Sequence, residues 1–136
     1  MDLDEARAVL AQQHRAVLST LRSAGTPQMS PVLAAVDDRG QVLVSTRQSA
    51  FKVHNLRRDP RAWLCVLPDD FFGRWIQVGG VTRIVELPEA MDLLVDYYRR
   101  ISGEHQNWDD YRAAMQHEQR VLLQIELTSA GPDRAG

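Results

Sequence analysis

Two adjacent glycines, Gly79 and Gly80, fall inside what otherwise reads as one long strand over residues 75–86. Glycine packs no side chain and loses the most entropy when ordered, so a pair of them in a strand interior marks a bulge or a sharp bend. A short antiparallel sheet needs such a bend to curl into a small barrel. The punctuation elsewhere agrees. Alternating or β-rich runs at 16–21, 28–36, 41–46, 62–67, 75–86 and 120–128 give six strands, and Ser23-Ala24-Gly25 and Asp37-Asp38-Arg39-Gly40 are turns that make the first pairs hairpins. Pro31 lies within the second strand and has no N–H to give a ladder, which places that strand at an edge or a bulge.

Helices are expected around this sheet. Residues 4–13 carry Ala6, Val9 and Leu10 as an apolar stripe behind an acidic first turn, and a short helix capped by Ser49 should stop before Pro60. A third starts at Pro88 and presents Met91, Leu94, Tyr98 and Ile101 at helical spacing, opposite Asp92, Arg99 and Arg100. Asn107 caps a fourth, with Asp110 placed as the acid of a capping box. The fold class is therefore mainly β (α+β), a six-stranded antiparallel barrel with flanking helices, as one domain over residues 1–136. The tail 129–136 offers no core residues and is expected to fray.

Composition removes several functions. A net charge of −2 and a pI near 6.1 do not suit a dedicated nucleic-acid binder. The N-terminus is acidic and no apolar run approaches the length of a membrane span, so a cytoplasmic protein without membrane contact is expected. Cys65, the one cysteine, sits in an apolar run and reads as a buried thiol. The histidines His14, His54, His105 and His117 show no metal-ligand spacing, no G-x-S-x-G elbow accompanies any serine, and Asp109-Asp110 are explained by helix capping. With no protein nucleophile or metal in view, reactivity would have to come from a bound cofactor. A chain of 136 residues has little room for cofactor and substrate together, so a site shared between two copies is expected.

The chain holds fifteen arginines and one lysine, Lys52, which falls in the first turn of the short helix after the third strand. A cation at a helix start is disfavoured by about 0.3 to 1 kcal/mol unless an anion offsets it. The hydroxyls of Ser45, Thr46 and Ser49 crowd the same connection, so the segment reads as a phosphate site. The plain alternative is a solvated lysine on a surface helix.

The run Asn55-Leu56-Arg57-Arg58-Asp59-Pro60-Arg61-Ala62, with Gly103-Glu104-His105 and Trp108-Asp109-Asp110-Tyr111-Arg112, resembles the pyridoxamine-phosphate-oxidase-like split-barrel superfamily. More narrowly, it resembles the actinobacterial deazaflavin-dependent oxidoreductases of class B, which use coenzyme F-420. The resemblance extends from the N-terminal helix to Thr128. It implies a homodimeric six-stranded split barrel with two cofactor sites at the subunit interface. It places Lys52 on the cofactor phosphate beside Ser45, Thr46 and Ser49, with Asn55 nearby. Gln28, Met29, Ser30 and Pro31 would run along the ring, and Trp75 would reach it from the other subunit. Arg58 and Arg57 would meet the coenzyme's acidic tail, or else form a solvated helix end. The implied reaction passes a hydride from reduced F-420 to a conjugated small molecule of enone, quinone or tetrapyrrole type. The alternatives are an FMN-binding enzyme that oxidises a pyridoxamine-type amine and a cofactor-binding protein without turnover. The chain departs from many relatives in having Gly79-Gly80 where they place a glutamate before the glycine, and in lacking their aromatic-glycine ending.

Overall fold

Period-two burial runs through β1 (Arg15–Leu21) and β5 (Arg61–Leu67), which turn Ala16, Leu18 and Thr20, and Ala62, Leu64 and Val66, into the core. The computed structural model describes residues 1–136. Five further strands, β2 (Pro27–Leu33), β3 (Ala35–Val36), β4 (Val42–Arg47), β6 (Arg74–Val85) and β7 (Arg120–Ala135), complete one sheet in the order β2-β1-β5-β6-β7-β4-β3. Every pairing is antiparallel. The sheet curls until β2 approaches β4 across a seam with no ladder. That seam is the split of the barrel.

Seven strands stand where six were expected, because the segment 28–36 is broken at Ala34. The Ala34 N–H bonds the His14 carbonyl at 2.7 Å in continuation of the β1 pairing, and the next two residues, Ala35 and Val36, pair with Leu43 and Val42 of β4 instead, dividing the segment into β2 and β3. Pro31 lies on β2, an edge strand paired only with β1. The Gly79-Gly80 pair is a bulge: the β6 to β7 register shifts there, and a methyl on Gly80 would strike the Glu126 carbonyl.

The tail expected to fray is instead the end of β7. Arg74 pairs with Ala135, Trp75 with Arg134 and Ile76 with Asp133, while Arg74 clasps Asp133 at 2.8 and 2.9 Å. Core content says nothing about a segment held by its backbone and one ion pair.

The helices divide two cores. α1 (Leu3–Leu10) and α2 (Phe51–Arg58) bury Ala6, Leu10, Val53 and Leu56 against the barrel interior. α3 (Met91–Ser102) and α4 (Trp108–His117) cover the outside of β4 and β7 with Leu94, Val95, Tyr111 and Met115. This explains why Val42, Leu43 and Val44 are buried consecutively: Val42 and Val44 face the barrel, and Leu43 faces the helices. Helix ends differ in detail from expectation. α1 stops at Leu10 instead of residue 13, and α3 begins at Met91, after a turn that holds Pro88. Asn107 does cap α4, accepting from the Asp110 N–H at 3.2 Å. The box is not closed in return, because the Asn107 N–H goes to His105 Nδ1 at 2.9 Å.

Candidate functional site

At the seam, β4 ends and the chain turns through residues 48–50 into α2. Ser49 was expected to cap this helix, yet the N-cap is Ala50, and no side chain caps it; Ser49 is exposed on the turn. The cap position falls one residue later because β4 runs to Arg47. The first turn of α2 therefore has neither a capping oxygen nor an acid, and it carries Lys52.

Lys52 faces a cleft of about 520 Å³ that opens along the seam. Ala16 and Val17 of β1 and Pro31, Val32 and Leu33 of β2 form an apolar wall, Ser45, Thr46, Lys52 and Arg120 form a polar end, and Arg15 and Leu67 complete the lining. Lys52 makes no ion pair, and burial followed by the nearby Arg120 charge pulls its ammonium below the usual lysine range. Arg120 is fixed by Glu118, whose Oε1 accepts from its Nε at 3.0 Å and its Nη2 at 2.8 Å; Arg47 reaches the same oxygen at 3.3 Å. Arg120 in turn holds the Glu118 carboxyl below its ordinary range. Two arginines thus share the Glu118 carboxylate and Lys52 has none, so the end of the cleft is a place for an anion.

A second concavity of about 370 Å³ lies along the other side of α2, lined by Arg22, Ser23, Gln28, Phe51, Asn55 and Arg58. Its floor is built from buried Asn55, which donates to Thr20 Oγ1 at 3.1 Å. Asn55 Oδ1 accepts from Arg58 at 3.3 Å, and Arg58 also donates to the Leu21 carbonyl at 2.8 Å. Gln28 Oε1 and Ser30 Oγ are buried polar atoms without a partner on the inward side of β2. Orphaned polar atoms are uncommon in folded proteins, and these two lie beneath β2, with Gln28 also lining the second concavity.

The residues anticipated from sequence are therefore not all brought together. Pro31, Ser45, Thr46 and Lys52 share the cleft; Gln28, Asn55 and Arg58 share the second concavity, with Ser30 on the same strand as Gln28. Met29, 64% exposed, points to the opposite face of the sheet beside Val17, Trp63 and Cys65. Trp75 lies next to Arg134 and Gly136 and lines neither concavity of its own chain. Arg57 turns away to Glu86 at 2.6 Å, which favours the solvated helix end for that residue. Sequence reading missed Arg120 and Arg15. The only local sign of Arg120 was the Glu118-Gln119-Arg120 reversal, where Gln119 takes a φ of 52° and lets both charges meet. No group of three His, Cys, Asp or Glu side chains is placed to hold a metal, and no helix is long and apolar enough to cross a membrane.

A curled antiparallel barrel, split along one seam and carrying a cationic cleft there, defines the class of protein. The chain belongs to the pyridoxamine 5'-phosphate oxidase family, whose sequence model matches residues 3–131, a family that includes oxidoreductases. Among solved structures it is similar to a conserved hypothetical protein of Mycobacterium tuberculosis at 27% identity and a TM-score of 0.76, over 96% of this chain and 82% of that one. It is also similar to an F-420 reductase at 21% identity and a TM-score of 0.71, over 92% of this chain and 94% of the other. A heme-binding protein of Mycobacterium smegmatis matches at 18% identity and a TM-score of 0.70, over 98% of this chain and 57% of that one. At these last two identities the likeness is one of fold.

Proposed function

We propose that this protein is a coenzyme F-420-dependent oxidoreductase that reduces a conjugated small molecule of enone, quinone or tetrapyrrole type. The observation that carries the reading is Lys52, half-buried at the end of an apolar-walled cleft without a carboxylate partner and beside Arg120. A phosphate there would relieve both the desolvation and the like charge. The name of the F-420 reductase among the structural neighbours supports the choice of coenzyme.

The chemistry that a reduced deazaflavin supplies when bound is hydride transfer. The protein's part is to bind, orient and keep water away. Lys52 and Arg120, with Ser45 and Thr46, would hold the phosphate. Gln28, Met29, Ser30 and Pro31 would run along the ring, with backbone groups and Ser30 toward its polar edge and Pro31 on the apolar wall. Asn55 positions Arg58 for an acidic tail on the far side of α2. The reading also assigns the working unit as a homodimer, with Trp75 acting across the interface. The outward face of β2, β1 and β5 supports this, since it carries Met29, Leu33, Val17, Trp63 and Cys65 together, with Arg61 over the Trp63 ring at 5.9 Å. FMN is the second reading, supported by membership of a family whose fold binds flavins.

Fluorescence titration with coenzyme F-420 and with FMN, using the tryptophans as reporters, tests the assignment. Selective binding of F-420 is expected, and Lys52→Ala should weaken it by about 1.5 to 3 kcal/mol, one charge-assisted contact, with the fold intact by circular dichroism. Unchanged affinity in that variant would remove the phosphate site. Preference for FMN would move the protein to the second reading.

A further inference from the structure

Lys52 carries the chain's only side-chain amine, and that amine stands in the cleft among groups that hold anions. No ion pair engages it, while Glu118 gives its Oε1 to Arg120 at 2.8 Å and to Arg47 at 3.3 Å. The lysine is half-buried, so its Nζ is reached through the cleft that it lines. Burial and then the Arg120 charge lower its hold on a proton. A larger share of it is therefore neutral, with a free electron pair, than of an ordinary lysine at the same pH. Arg120 binds Glu118 through Nε and Nη2, which leaves Nη1 for a second anion, and the hydroxyls of Ser45 and Thr46 line the same end. An amine and an anion-holding group thus stand side by side, next to the apolar wall of Pro31, Val32 and Leu33. Each feature has a plain use in holding a phosphate, and together they are also the parts of an acyl-transfer site.

We infer that Lys52 is a site of acylation, and that its acyl donor is an acyl phosphate whose phosphoryl group is held by Arg120, Ser45 and Thr46. In that step the Nζ electron pair bonds to the acyl carbon, and the carbon–oxygen bond to phosphate breaks. Phosphate leaves with that bond's electron pair at the cationic end, and the proton lost from nitrogen passes to water. Nothing is oxidised or reduced. The apolar wall accommodates a short acyl chain. The amide that results has no charge. Of the cations lining the cleft, Arg15 is paired with Asp69 and Arg120 with Glu118, so acylation removes the one that no carboxylate offsets. The cleft is then a poorer place for an anion. The transfer rests on the anion-holding end alone, whereas its effect on the coenzyme rests on the reading of the cleft as the coenzyme site.

To test this, the purified protein is treated with acetyl phosphate at neutral pH, and acetyl groups are located by peptide mass spectrometry. The α-amine of Met1, away from the cleft, is the internal control. Lys52 should be acetylated, and saturating inorganic phosphate should slow it about tenfold without slowing Met1. Arg120→Gln is then compared with the wild type, using acetyl phosphate and the N-hydroxysuccinimide ester of acetate, a donor without phosphate. The ratio of the two Lys52 rates should fall about tenfold in the variant, a comparison in which any change in the amine's own reactivity cancels. An unmodified Lys52, an absence of protection by phosphate, or an unchanged ratio would each overturn the site. If Arg120→Gln does not fold, protection in the wild type decides alone. Acetylated protein should bind F-420 about tenfold more weakly than untreated protein, and equal affinity would overturn the effect on binding. If the wild type binds neither F-420 nor FMN, the functional reading fails, and the acetylation rates still decide the transfer.

Discussion

Lys52 is costly to the protein while its cleft is empty of anions. Burial and Arg120 both disfavour its charge, so its value in the folded state lies below the ordinary 10.5. At neutral pH the ammonium is charged in folded and unfolded chains alike, and the full penalty is present. Between the lowered value and 10.5 the unfolded chain holds more protons, so the penalty is relieved as pH rises through that window. Lys52→Met should therefore raise the Tm of the ligand-free protein at neutral pH, by an amount that shrinks as pH approaches 10.5. Thermal melts across that range check it; an unchanged or lower Tm at neutral pH would show that the side chain is not strained by its place. A residue that lowers stability and is retained in a chain otherwise using only arginine fits one selected for binding.

Among the elements, β6 carries the sharpest structural requirement. Gly80 lies so close to β7 that a methyl group would meet the Glu126 carbonyl and the Ile125 side chain, and neither can leave without moving the strand. Gly80→Ala should cost about 1 to 3 kcal/mol, seen as a lower denaturant midpoint, whereas an unaffected midpoint would mean the two strands can part freely. This bulge was legible from sequence because two glycines in a strand have few other uses. The strands were legible for a similar reason: alternation and turn residues are local signals. What stayed hidden was set by distant partners. The end of β7 is ordered by Arg74, and the cleft is completed by Arg120, which comes beside Lys52 only through the closed sheet. Ser49 failed as a cap because β4 runs to Arg47 and moves the helix start, a matter of one residue that propensity does not resolve.

For the whole molecule, the apolar outer face of the sheet bears on assembly. Met29, Leu33 and Val81 are 64%, 46% and 47% exposed on it, large apolar side chains that a partner subunit would cover. Light scattering during size exclusion should give a dimer for the wild type and a monomer for Met29→Glu, with coenzyme affinity falling in the variant if Trp75 acts across the interface. A monomeric wild type that still binds coenzyme would remove the second subunit from the site. The order of strands has a further result, in time instead of space. β7 is the last strand to be made, yet it lies between β4 and β6 and bonds to both. A chain emerging from the ribosome must hold two open strand edges until β7 has been made, so closure of the barrel waits for that strand. That places the period of greatest aggregation risk before the last strand is free to enter.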